Sequence, residues 1–254
     1  MLALERKNRI LDRVQQEGKV IVSVLSKEFD VSEETIRRDL EKLEEEGHVT
    51  KSYGGAVAKE KNSIDLPFNV RRNANPEGKR IIAKLIASRI EEGETLFLDA
   101  STTAVFIAKE LKARERLTVI TNSIENLIEL ADQTNWNIIS TGGTLSGGSM
   151  SLLGGRTAEV IQSYHTNKVI LSCKGLDIEK GVTDGNPEIA SIKRAMLDAA
   201  DTVILAADST KFDRVAFSRL CDLPDIDCII TEKKPDDLWI RYFKEHGIEL
   251  VYGE

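Results

Sequence analysis

The chain has 254 residues, room for two domains or one large one. With 41% hydrophobic and 30% charged residues its composition is that of an ordinary soluble protein, and no apolar run reaches the roughly 18 residues a membrane span needs. A net charge of −7 argues against a protein that coats nucleic acid, but leaves room for a small basic face.

Met1 to Lys7 lacks the apolar core of a signal peptide, so a cytoplasmic address is expected. A first helix is expected over Leu4–Glu17, with Ile10, Leu11 and Val14 as its apolar stripe and Gly18 as its stop. A second is expected over Ile21–Phe29, capped by Ser23. After the short turn at Asp30 and Val31 comes the best-marked helix. Ser32 is its N-cap, Glu33 and Glu34 complement its dipole, and Gly47 closes it. Ile36, Leu40 and Leu43 form one buried stripe, and Arg38 points away from it. Thr35, Arg37 and Lys42 flank that outward face. A basic second helix after a tight turn is the helix-turn-helix pattern, and paired arginines suit the O6 and N7 of guanine. The segment His48–Val57 alternates like a hairpin around Gly54-Gly55, which would form a wing. Lys51 would touch phosphate there, and Tyr53 would pack beneath the wing. Residues 1–58 carry ten Lys and Arg against twelve Asp and Glu, so DNA binding would rest on a local, salt-sensitive patch.

Arg6, Ile10 and Val14, then Ser32-x-x-Thr35-Ile36-Arg37-Arg38-Asp39-Leu40, then Tyr53-Gly54-Gly55-Ala56 together resemble the winged helix-turn-helix of the DeoR family of bacterial transcriptional regulators. The resemblance implies a DNA-reading unit over 1–57 that uses Ser32, Thr35, Arg37, Arg38, Lys42 and Lys51. Asp39 is expected to be structural, paired with an arginine or a neighbouring helix.

A polar connector is expected over 58–75, with Asn75-Pro76-Glu77 starting the next helix. From 76 to 254, seven apolar strand candidates alternate with helices: Thr95–Asp99, Leu117–Asn122, Trp136–Ser140, Lys168–Cys173, Thr202–Ala207, Cys228–Thr231 and Glu249–Tyr252. That alternation predicts an α/β domain with a mostly parallel sheet, which binds ligands beyond its strand carboxyl ends. Those ends carry Asp99 with Ser101, Thr102 and Thr103; Thr121, Asn122 and Ser123; Thr141, Gly142 and Gly143; and Asp208 with Lys211. Short hydroxyls and glycines at helix starts offer N–H groups to an anion, which suits a phosphorylated polyol. The glycines make neither a dinucleotide fingerprint nor a P-loop, so no cofactor is expected. Cys173, Cys221 and Cys228 are widely spaced and the three histidines lack ligand spacing, so no disulfide framework or metal site is expected.

These strand-end motifs, with Gly175 and Asp177, Gly181–Asp184, Glu188, and Lys193-Arg194, resemble the DeoR sensor domain, related in fold to ribose-5-phosphate isomerase and glucosamine-6-phosphate deaminase. The resemblance implies an operator-binding homo-oligomer, dimer or tetramer, that is a repressor of sugar-metabolism genes. Its effector would be a phosphorylated sugar, held by the strand-end residues with Gly175, Asp184, Glu188 and Lys193. The alternative is a sugar-phosphate isomerase or deaminase with an appended DNA-binding unit, using Asp184, Glu188 and Lys193 for acid–base work.

Overall fold

A computed structural model describes residues 3–17, 19–46, 48–58 and 68–253. The stops expected at Gly18 and Gly47, and the polar run 59–67, lie outside the described residues. The described chain forms two compact units, one on each side of that run.

The first unit contains α1 (Ala3–Glu17), β1 (Lys19–Ile21), α2 (Val22–Phe29), α3 (Glu33–Glu45), β2 (Val49–Ser52) and β3 (Gly55–Ala58). Its core is the set of stripes read from the sequence: Ile10 and Val14 of α1, Leu25 of α2, and Ile36, Leu40 and Leu43 of α3 are all at most 2% exposed. Each such side chain contributes about 1.5–3 kcal/mol by leaving water. Three details differ from expectation. Residues 19–21 form a strand that pairs with β3, so α2 starts at Val22 and its N-cap is Ile21, not Ser23. The hairpin turn is Tyr53-Gly54, because Gly55 already pairs with Ile21 and Ser52. That displacement carries Tyr53 to the wing tip, where it is fully exposed rather than packed beneath the wing.

The second unit opens with α4 (Phe68–Asn73) and α5 (Pro76–Ala87). Residues 68–73 of the expected connector are therefore helical, and Phe68 is buried. Then follow β4 (Thr95–Leu98), α6 (Thr102–Leu111), β5 (Thr118–Thr121), α7 (Ile124–Leu130), β6 (Asn137–Ser140), the hairpin β7 (Thr144–Ser146) and β8 (Ser151–Leu153), and α8 (Gly155–Gln162). The remainder comprises β9 (Thr166–Ser172), β10 (Gly175–Asp177), β11 (Gly181–Asp184), α9 (Pro187–Asp198), β12 (Ala200–Ala206), β13 (Ser218–Cys221), β14 (Cys228–Thr231), α10 (Asp237–Glu245) and β15 (Glu249–Tyr252).

The seven expected strands form one parallel sheet in the order β15-β14-β12-β9-β4-β5-β6. Successive side chains alternate faces. Leu96 and Leu98 pack with α5 and α6 on one side, while Phe97, Val169 and Leu205 pack with α9 and α10 on the other. Burial on both faces explains why these strands read as unbroken apolar runs. Strands β10, β11 and β13 make a small antiparallel sheet that the sequence did not announce.

Strand order reverses between β4 and β9. The chain runs outward through β5 and β6, then returns to the other side of β4 and continues through β12, β14 and β15. At such a reversal the outgoing loops part and leave a crevice beyond the carboxyl ends.

Candidate functional site

The outward face of α3 is the candidate DNA-reading surface. Ser32 caps it, its hydroxyl oxygen accepting from the Thr35 N–H at 3.2 Å and lying 2.9 Å from the Thr35 hydroxyl. Ser32, Arg37, Arg38 and Lys42 are exposed. The arginines are not naked cations: Arg37 pairs with Glu33 at 2.6 Å and Arg38 with Glu34 at 3.5 Å. The wing is tied to the same helix. Lys51 donates through its ammonium to Glu41 at 2.8 Å and through its backbone N–H to Glu44 at 2.8 Å. The Glu41 partner holds the Lys51 ammonium above its ordinary range, and Lys51 in turn depresses the Glu41 carboxyl. Asp39 faces inward and accepts from Arg6 of α1 at 2.5 Å, both groups being buried. The motif acid is thus a clamp on the back of the helix, and its partner lies 33 residues earlier.

The carboxyl ends of β4 and β9, at the strand reversal, hold a buried ion cluster. Asp99, just past β4, is 1% exposed; Asp184, the last residue of β11, is 1% exposed; Lys193 of α9 is 7% exposed. The Lys193 ammonium lies 2.8 Å from Asp184 and 3.1 Å from Asp99, and donates to the Ser172 carbonyl at 2.6 Å. Burial alone would lower the lysine, but the two carboxylates beside it override this and hold it above its ordinary range. Burial alone would raise Asp184, yet Lys193 keeps it below its usual value. Asp99 also accepts from the Ser101 and Ser172 N–H groups, at 3.0 and 2.9 Å, which locks β4 to β9 at the reversal.

The starts of α6 and α7 follow β4 and β5 at the same edge of the sheet, and the Ser101 N–H donates to Asp99. Ser101 caps α6 by accepting from the Ala104 N–H at 3.0 Å. Thr102 and Thr103 follow, both 5% exposed. Ser123 caps α7 in the same way, and the Thr121 hydroxyl donates to the Leu98 carbonyl at 2.6 Å. Asn122 donates to the Leu152 carbonyl at 3.0 Å. These three polar side chains brace the loop. Gly142 and Gly143 take left-handed backbone at φ 62° and 118°. A Cβ on Gly143 would stand 2.0 Å from the Thr157 hydroxyl and 2.7 Å from the Leu153 carbonyl, so this close approach needs glycine. A Cβ added at Gly175 would stand 2.3 Å from the Arg214 carbonyl oxygen. Lys211 lies 3.9 Å from the buried Asp208 carboxylate, and Glu188 stands exposed in the first turn of α9. Of the residues expected to hold a ligand, the fold therefore joins Asp99, Asp184 and Lys193 directly and gives several of the others structural bonds.

Helix α4 rests on the same rim. Its first N–H, of Phe68, donates to the Gly148 carbonyl of the β7–β8 hairpin at 3.1 Å. Arg72 pairs with Glu125 in the first turn of α7 at 3.3 Å. The Thr102 hydroxyl donates to the Arg71 carbonyl at 3.5 Å. The Lys79 ammonium, 4% exposed, donates to the carbonyls of Arg71 and Ala74 at the end of the helix. Sequence patterning missed Lys79, which reads as an ordinary surface cation of α5.

A winged helix-turn-helix with an exposed, arginine-bearing helix, joined to an α/β unit whose strand reversal is lined by buried charge, defines a DNA-binding regulator with its own sensor unit. Residues 6–62 match the DeoR-like helix-turn-helix domain and residues 74–233 the DeoR C terminal sensor domain. The chain is 40% identical over 251 residues to the uncharacterized HTH-type transcriptional regulator YulB of Bacillus subtilis (strain 168), covering 99% of this chain and 97% of that protein. It is 30% identical over 250 residues to the glycerol-3-phosphate regulon repressor of Escherichia coli (strain K12), covering 98% and 99%. A partial structural overlap with ribose 5-phosphate isomerase A of Methanocaldococcus jannaschii has a TM-score of 0.41 at 13% identity, over 54% of this chain and 55% of that one. The chain belongs to the DeoR family of transcriptional regulators, and the enzyme alternative is set aside on that ground.

Proposed function

We propose that this regulator represses genes of sugar metabolism in the cytoplasm, and that a phosphorylated sugar in the strand-reversal crevice changes its affinity for an operator. The observation that carries the reading is the buried Asp99–Lys193–Asp184 cluster at the carboxyl ends of the parallel strands, where Asp99 also accepts from the Ser101 N–H at the start of α6. Buried carboxylates beside a crevice orient sugar hydroxyls. Because Lys193 is already neutralised by two acids, the phosphate is left to N–H groups at helix starts and to Lys211. Ser101, Thr102, Thr103, Gly142, Gly143 and Glu188 complete the set. The glycerol-3-phosphate regulon repressor, by its name, governs genes for a phosphorylated polyol, which agrees with this class of effector. On the DNA side, Arg37 and Arg38 read bases, with Ser32, Thr35, Lys42 and Lys51 on phosphates, and a homo-oligomer spans repeated half-sites about 34 Å or a multiple apart.

The test has two arms. The full chain selects its operator from random duplex DNA, and the selected duplex serves as probe. Thermal shift is then measured with glycerol 3-phosphate, glucose 6-phosphate, fructose 1-phosphate and 2-deoxyribose 5-phosphate, each against its unphosphorylated parent. Saturation at about 100 times the dissociation constant stabilises the protein by roughly 2.7 kcal/mol. A shift with a phosphosugar but not its parent is expected; equal shifts with both, or none at all, would reject the phosphate-binding rim.

A further inference from the structure

We propose that α4 carries occupancy of the crevice to the DNA-reading unit. The inference rests on the reading that the crevice binds a phosphosugar. Helix α4 is the first described element after the DNA-reading unit along the chain. It has six residues, too few to be helical without help in water. Its order therefore depends on what it touches, and it touches the rim at separate places: the hairpin through the Phe68 N–H, the start of α6 through Thr102, and the start of α7 through Arg72–Glu125. The Lys79 ammonium is held on the carbonyls at its far end, where a cation complements the helix dipole. Undocking α4 would strip buried Lys79 of those acceptors, a cost that makes partial release unfavourable. In the proposed relay, docked and released α4 are the two states between which the effector chooses.

The starts of α6 and α7 are also where the phosphate is expected. A ligand that repositions Thr102 or Glu125 acts on the same contacts that seat α4, so it binds one state better than the other. That differential is what coupling requires. The arrangement assigns Lys79, Arg72 and Glu125 to positioning rather than to ligand contact.

The experiment measures the ratio of operator dissociation constants with and without the panel phosphosugar that stabilises wild type most. Wild type should show a ratio of about 5–150. Arg72→Ala and Lys79→Gln should each bring it below about twofold, set against that ordinary range, while the phosphosugar still gives its thermal shift and the operator is still bound. The exchanged pair, Arg72→Glu with Glu125→Arg, should restore the ratio. Folded Arg72→Ala and Lys79→Gln proteins that keep the wild-type ratio would overturn the inference. So would loss of the thermal shift together with the ratio, since that makes these residues ligand contacts. If Lys79→Gln does not fold, Arg72→Ala and the exchanged pair decide the matter. A wild-type protein that binds the phosphosugar but shows no ratio rejects the relay alone, whereas one that binds no phosphosugar rejects the crevice reading as well.

Discussion

At the residue scale, charge is spent mostly on neighbours. Arg38 pairs with Glu34 on the exposed face, so the proposed contact with guanine would exchange one partner for another. Arg38→Ala should cost about 1–3 kcal/mol of operator affinity and relax selection at one base position. Lys42→Ala should weaken all sequences alike, and anisotropy titrations on the selected operator and a scrambled duplex separate the two outcomes. Lys193 is the opposite case. Lys193→Met leaves Asp99 and Asp184 as buried carboxylates without their cation, and should cost about 3–5 kcal/mol in urea unfolding. The pH dependence has a definite sign. The unfolded Asp184 carboxyl takes up its proton near 3.8, above its folded value, so stability is whole above that pH and lost as pH falls below it. Lys193 contributes fully below its ordinary 10.5 and loses its contribution as pH rises through its raised folded value. The urea midpoint should therefore drop on acidification below 3.8, and drop less in the Asp184→Asn, Lys193→Met double variant.

At the scale of elements, the sequence spoke where burial is two-sided or a cap is present. Leu96-Phe97-Leu98 and Ile229-Ile230 read as strands because both faces are covered, and Ser32 read as a cap and serves as one, whereas Ser101 and Ser123, read as ligand donors, cap α6 and α7. Strands β10, β11 and β13 were silent because three or four residues such as Gly175-Leu176-Asp177 carry no period. Tyr53 was misplaced by a single position, since a turn at 53–54 rather than 54–55 turns a flanking side chain into a tip. The candidate site was half legible. Asp99 and the hydroxyl runs stood at strand ends, but the Lys193–Asp184 pair depends on an antiparallel sheet that the pattern did not reveal, and Lys79 has its acceptors on a helix read as connector. At Gly143, φ 118° and the contact with Thr157 argue against any side chain. Gly143→Ala should lower the melting temperature of the full chain, reflecting about 1–3 kcal/mol of backbone strain, and reduce the phosphosugar thermal shift.

At the scale of the whole molecule, three buried thiols and a net charge of −7 set the outward chemistry. Burial pushes Cys173, Cys221 and Cys228 up to about 12, so no thiolate is presented near neutral pH. A colourimetric thiol reagent should find essentially none of the three in the native protein and all of them in urea. Among the described residues no helix is long and apolar enough to cross a membrane. The glutamates flanking the arginines of α3 have a kinetic consequence. Random DNA offers phosphate but no base match, and a face already balanced by Glu33, Glu34 and Glu41 gains little from phosphate alone. The protein should therefore dwell only briefly on unrelated duplex and move between segments by short hops through solution, reserving long residence for sites where the arginines find bases worth leaving their own acids for.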